Sequence, residues 1–103
     1  MKAEGGYRPF ECLPQTVISA GKEVVSCDLE GESVLLDLRS SKYFRLNPVG
    51  REIWTALGAS QTLEALVAIV TEKFDVEPSR CEEDIKRLLL DFHKSGLIDT
   101  ADA

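Results

Sequence analysis

Several common chemistries are excluded by what the chain lacks. It has one histidine, His93, set beside Lys94 in a polar helical context, which reads as a solvated residue. A thiol–imidazole pair of His93 with Cys27 or Cys81 would need a surrounding motif, and none is present. Cys12, Cys27 and Cys81 are odd in number and widely separated. A disulfide framework uses an even, dense set and a zinc site uses close pairs, so reduced thiols are expected. Gly5-Gly6 precedes no strand-to-helix junction, so there is no phosphate-cradling loop. The acids Glu82, Glu83 and Asp84 are read as opening a helix, where the dipole favours negative charge, rather than as metal ligands. No cofactor and no metal are expected.

Excess positive charge and long apolar runs are also missing. The net charge is -6, and basic residues such as Lys22, Arg39, Arg51 and Lys86 are interleaved with acids. Nucleic-acid affinity rests on basic side chains neutralising phosphates, so nucleic acid is not an expected partner. No apolar stretch follows a basic start, so neither a signal peptide nor a membrane span is expected, and a reducing cytoplasm is the consistent location.

What remains is a chain of 103 residues, 44% hydrophobic, enough for one domain with a modest core. A domain of this size buries roughly two-thirds of its unfolded surface. That leaves room for one surface site but little for a deep catalytic cavity. Residues 1–15 contain Gly5, Gly6, Pro9 and Pro14 without a clear period and are read as an arm. Residues 16–98 are read as the domain, and 99–103 as a tail.

From Thr16 to Leu46 the pattern is that of strands. Val24 to Leu29 forms one, a turn follows at Glu30-Gly31, and Val34, Leu36 and Leu38 alternate with Leu35 and Asp37 in a second. Tyr43 to Leu46 makes a third. With Leu36 and Leu38 taken as the buried face, an odd, bulged loop is needed to bring Phe44 and Leu46 to the same side. The product is a three-stranded antiparallel meander whose last strand lies at an edge.

At Asn47-Pro48 the period changes to that of a helix, with asparagine as cap and proline at the first helical position. Val49, Ile53, Trp54 and Leu57 make its apolar stripe, and Gly58 is expected to end it in a left-handed conformation. Trp54 is read as core. A second helix starts at Thr62, with Leu63, Leu66, Val67, Val70 and Phe74 on one face. A third is expected to open on a capping box of Ser79 and Glu82, to bury Ile85, Leu88, Leu89 and Phe92, and to stop at Gly96. Strands then helices, segregated along the chain, imply an α+β fold.

An edge strand is either blunted, as Lys42 and Arg45 would do, or used for adding a peptide strand. The residues alone leave both readings open. A resemblance decides between them. The stretch Val34-Leu35-Leu36-Asp37, then Tyr43-Phe44-Arg45-Leu46-Asn47-Pro48-Val49-Gly50 and Ile53-Trp54, resembles the PqqD family. Thr62-Leu63, Phe74-Asp75-Val76, Asp84-Ile85, Leu88-Leu89 and Gly96-Leu97-Ile98 follow in the family's order. The match spans residues 13–98, and the Leu-Asn-Pro-Val-Gly and Ile-Trp elements look closer to stand-alone members of lasso-peptide pathways than to the quinone-cofactor protein.

The resemblance implies a winged helix-turn-helix-like domain, not an enzyme, that captures the leader of a ribosomally made precursor peptide. It implies further that the domain presents that leader to processing enzymes, a leader protease and a cyclase. In the family the leader pairs antiparallel with the third meander strand, in a groove between that strand and the third helix. Those elements here are Lys42, Tyr43, Phe44, Arg45 and Leu46, and Arg80 to Asp91. Asp84, Arg87, Leu88 and Asp91 share one flank of the helix's buried stripe and are the candidate groove wall. For Phe44 and Leu88, plain core membership remains an equal reading.

Two rivals stand beside this. A winged-helix DNA-binding regulator would place the third helix in the major groove. Its exposed face mixes Arg80, Lys86 and Arg87 with Glu82, Glu83, Asp84 and Asp91, so phosphate meets repulsion as well as attraction. A small enzyme is the other, and assay of the isolated chain for a reaction separates it from a binder.

Overall fold

The computed structural model describes residues 12–101. Six strands and three helices follow in the order β1 (Val17–Ala20), β2 (Val24–Leu29), β3 (Glu32–Asp37), β4 (Lys42–Leu46), α1 (Pro48–Ala56), β5 (Gln61–Thr62), α2 (Leu63–Lys73), α3 (Pro78–Lys94) and β6 (Ile98–Ala101). They make two antiparallel three-stranded sheets, ordered β2-β3-β4 and β5-β1-β6. The architecture is α+β with a winged-helix-like arrangement.

The meander is the expected one, with β4 at its edge. Its first hairpin closes on the pair Leu29 and Glu32, leaving Glu30 and Gly31 as a two-residue turn with φ of 52° and 84°. Two left-handed residues in succession match the right-handed twist of the flanking strands.

The second hairpin departs from expectation. Asp37 pairs with Lys42, so the loop between them is the even, four-residue run Leu38 to Ser41, with Ser41 at φ 61°. Leu35 therefore stands opposite Phe44, and Ser33 opposite Leu46. The helix-facing side carries Leu35, Phe44 and Leu46, whereas Leu36 and Leu38 lie on the other side and Leu38 is 53% exposed. The odd loop was required only because Leu36 and Leu38 were assigned to the core. A one-residue change of assignment inverts every side chain.

The second sheet was not expected as a sheet. β6 takes in residues 99–101, which the sequence suggested for a tail, and pairs along the whole of β1. Cys12 is buried, and the Thr16 amide closes a turn on the Leu13 carbonyl at 3.0 Å. The Pro14 carbonyl accepts from the Glu64 amide at 3.1 Å, satisfying one of the orphan donors at the start of α2. The rest of the proposed arm lies outside the described residues.

The helix starts follow from local chemistry. Asn47 Oδ1 accepts from the Gly50 amide at 2.7 Å with Pro48 following, and Thr62 Oγ1 accepts from the Ala65 amide at 3.1 Å. α1 does not end in a left-handed glycine. The Leu57 amide bonds to the Ile53 and Trp54 carbonyls and the Gly58 amide to the Thr55 carbonyl, a tightening of the last turn that requires no positive φ.

The start of α3 is corrected too. Pro78 takes the first helical position and Glu77 the cap position, without a side-chain cap. Ser79 lies inside the helix, and its hydroxyl donates to the Glu77 carboxylate rather than capping toward Glu82. Glu82, Glu83 and Asp84 consequently fall beyond the first turn, where the dipole contribution has faded. Glu82 instead pairs with Lys86 at 3.5 Å.

α3 ends as expected. Gly96 has φ 73°, its amide donates to the His93 carbonyl at 3.1 Å, and the Leu97 amide donates to the Phe92 carbonyl at 2.9 Å, a Schellman closure. The core gathers Leu35 from β3, Ile53 from α1 and Leu57 at its C-cap, Leu63, Leu66 and Val70 from α2, and Ile85, Leu89 and Phe92 from α3. Ile18 and Ile98 bring the second sheet into the same cluster.

Candidate functional site

β4, like β2 at the other end of the same sheet, has an unpaired outer edge, and it is β4 whose Phe44 packs on Phe92 of α3. In an antiparallel strand the amide and carbonyl of one residue point to the same side, and the side alternates along the chain. The Leu38 amide reaches back to the Glu23 carbonyl at 2.8 Å, toward β2. By alternation, β3 turns Leu36 and Val34 toward β2 and Asp37, Leu35 and Ser33 toward β4. Their partners Lys42, Phe44 and Leu46 thus use their backbone groups inward. The backbone groups of Tyr43 and Arg45 are left pointing away from the sheet.

The side chains of β4 divide accordingly. Lys42, Phe44 and Leu46 share the helix-facing side, and Tyr43 and Arg45 the opposite one. Phe44 and Leu46 are half-buried, while Lys42, Tyr43 and Arg45 are exposed. The Phe44 ring meets Phe92 edge-to-face with centroids 5.2 Å apart, and Trp54 meets the same ring from α1 at 5.8 Å. Trp54 is half-buried and packs against the core, consistent with the sequence reading.

α3 supplies the second wall. A side chain at Gly50 would meet Leu46 Cδ2 at 3.4 Å and Leu88 Cδ2 at 3.6 Å, so the bare glycine lets α1 seat against both. Leu88 and Phe92, one turn apart, therefore turn toward the same region as Leu46 and Phe44. On the helical wheel Asp84, Arg87 and Asp91 flank Leu88 on its exposed side, and all three are exposed. Of the nine residues singled out from sequence, Phe44, Leu46 and Leu88 are brought together. Lys42 lies at one end of the strand, and Tyr43 and Arg45 contribute outward backbone.

A cleft of about 370 Å³ lies at the Lys42 end, lined by Asp37, Ser40, Lys42, Tyr43, Phe44, Lys94, Ser95 and Leu97. Asp37 is buried there. Its Oδ1 accepts from the Arg39 amide at 3.0 Å and from Arg39 Nε at 3.3 Å, and Oδ2 accepts from Nη2 at 3.4 Å. The Arg39 backbone bond first, then its guanidinium, hold the Asp37 carboxyl below the usual range. Arg39 Nη2 also donates to the Gly96 carbonyl at 3.0 Å, tying the β3–β4 loop to the end of α3.

Sequence reasoning missed Arg39, Lys94 and Ser95. The signal for Lys94 was present, since it continues the Arg87 and Asp91 flank at helical spacing. Arg39 carried none, because its partner Gly96 is 57 residues away.

Burial pushes the Cys12 and Cys81 thiols up, so they stay protonated at neutral pH. Among the described residues no cluster of His, Cys, Asp or Glu has the makings of a metal site, and no helix is long and apolar enough to cross a membrane.

These features define a small winged-helix-like α+β domain in which the unpaired edge of β4 lies beside a helix. The family model described as coenzyme PQQ synthesis protein D (PqqD) matches residues 32–98, about two-thirds of the chain. The chain belongs to the PqqD family. Two solved structures share its fold. One, TbiB1 in complex with the TbiA(beta) leader peptide, is 29% identical with a TM-score of 0.69, over 79% of this chain and 94% of that one. The other, a lasso peptide synthetase B1 complexed with the leader peptide, is 25% identical with a TM-score of 0.68, over 80% of this chain and 96% of that one. No curated protein matches the sequence.

Proposed function

We propose that this protein binds the leader segment of a ribosomally synthesised precursor peptide in lasso-peptide or related biosynthesis, as an added strand on β4 beside α3. It then delivers that segment to the leader protease and cyclase of the pathway, in the cytoplasm, without acting on the peptide itself. The observation that carries the reading is the open edge of β4, where Tyr43 and Arg45 offer unpaired backbone groups next to the half-buried Phe44, Leu46 and Leu88. Main-chain pairing would supply affinity and the apolar side chains selectivity. The family and the two leader complexes support it.

The test is calorimetric titration of the purified chain with the TbiA(beta) leader and with leaders encoded beside its own gene, followed by mass spectrometry of the peptide. One added strand with two or three apolar anchors supplies about 8 kcal/mol, a micromolar or tighter complex. The peptide is recovered unchanged. Absence of binding to every leader, or chemical change of the peptide by this chain alone, overturns the reading.

A further inference from the structure

We propose that Lys42 and Lys94 form a charge-reading end of the groove and select a leader residue that carries a carboxylate. The inference rests on the peptide-groove reading above and specifies what that groove accepts.

Both lysines line the cleft at the end of β4, one from the strand and one from the last turn of α3, and both are exposed. In a chain of net charge -6, such a pair stands out locally. Among the described residues neither is held in an ion pair: the basic partners are Arg39, Arg45, Lys73 and Lys86. The other charges of the cleft cancel, because Asp37 and Arg39 are bound to each other. At the negative end of the α3 dipole the Asp91, Phe92 and His93 carbonyls already accept from the Ser95, Leu97 and Gly96 amides. Both lysines line this polar cleft without a carboxylate bound to either, among the described residues.

Position then follows from register. A strand added to β4 sets every second side chain on the face that carries Lys42, Phe44 and Leu46. The peptide residues opposite Leu46 and Phe44 meet apolar surface, including Leu88 and Phe92. The next residue on that face meets Lys42 and Lys94. For a peptide running antiparallel to β4, the accepted pattern from N- to C-terminus is apolar–x–apolar–x–acidic.

Selection of a displayed library of random short peptides on the immobilised protein tests this. A Lys42→Glu/Lys94→Glu double variant with an unchanged circular-dichroism melt is selected in parallel. The wild type should enrich the apolar–x–apolar–x–Asp/Glu pattern, and the variant should enrich Lys or Arg at the acidic place. The best wild-type peptide should bind the variant about tenfold more weakly, as two partly exposed pairs imply. Its affinity for the wild type should fall with added salt. If both proteins enrich the same apolar peptides with no preference at that place, the charge-reading proposal is overturned and the groove reading survives. If neither enriches any peptide, the groove reading fails and takes this proposal with it.

Discussion

Arg39 and Gly96 join the two walls of the groove. The guanidinium bridges Asp37 on β3 and the Gly96 carbonyl beyond α3, the latter at 3.0 Å. A side chain at Gly96 would approach Arg39 Nη2 to 3.4 Å, and the residue's φ of 73° excludes most substitutions in any case.

Removing that clasp should loosen the groove more than the fold. Arg39→Ala loses two partners but exposes no core, and Arg39 is already 59% exposed. We expect a small stability loss, because solvent screens the exposed guanidinium, and a clear fall in peptide affinity. Arg39→Lys should restore stability only in part, since an ammonium cannot fork between two acceptors. Thermal melts and titrations measure the two effects. Full affinity in Arg39→Ala would mean that the clasp does not set the groove.

The pH dependence of stability has a defined sign. The folded state lowers the Asp37 pKa from its ordinary 3.8, so the stability it contributes is present above that value. It is lost as the pH falls from there through the folded-state pKa. Asp37→Asn should reduce stability at neutral pH and flatten the acid limb of a melting-temperature profile below about pH 4. An acid limb identical to that of the wild type would exclude Asp37 as its source.

The thiols should react in two classes. Cys27 is exposed on β2, whereas Cys12 and Cys81 are buried with raised pKa values. A thiol reagent at neutral pH should modify one group quickly in the native protein and all three only on unfolding. Fast modification of Cys12 or Cys81 in the folded state would reveal local opening of that part of the core.

How far the sequence could be read follows from where each interaction lies. The caps at Asn47 and Thr62 and the Gly96 stop are local chemistry between residues a few positions apart, and they were legible. The meander's edge strand was legible because one turn and one loop separate its members. The face of β3 was not, because Val34, Leu35 and Leu36 are all apolar and alternation cannot say which one meets the helices. The start of α3 lies two residues earlier than expected because Ser79 and Glu82 mimic a capping box, while Pro78 fixes the helix before them. The β5-β1-β6 sheet left little trace, since β5 is two residues long and all of β6 beyond Ile98 is exposed. Phe44, Leu46 and Leu88 were named through the family resemblance and the structure brings them together, whereas Arg39 depends on a contact no local pattern encodes.

Proline scanning of β4 separates main-chain pairing from side-chain packing. Phe44 directs its amide inward to β3 and its ring onto Phe92. Phe44→Pro loses a ladder bond worth about 1 kcal/mol and a core ring worth about 3–5 kcal/mol, so it should not fold. Arg45 directs its amide outward, and its ion pair with Glu32, at 3.6 Å with both groups exposed, contributes little. Proline suits an edge position whose donor faces away from the sheet, and it asks residue 44 only to stay extended, as it already is. Arg45→Pro should therefore keep the wild-type circular dichroism while its affinity for a leader peptide falls about tenfold, the value of one lost hydrogen bond. Arg45→Ala keeps the amide and should keep the affinity, which isolates the backbone from the side chain. Tyr43→Pro should repeat the Arg45→Pro result one register step along. If folded Arg45→Pro and Tyr43→Pro proteins both bind leader at full strength, strand addition at this edge is the wrong mechanism.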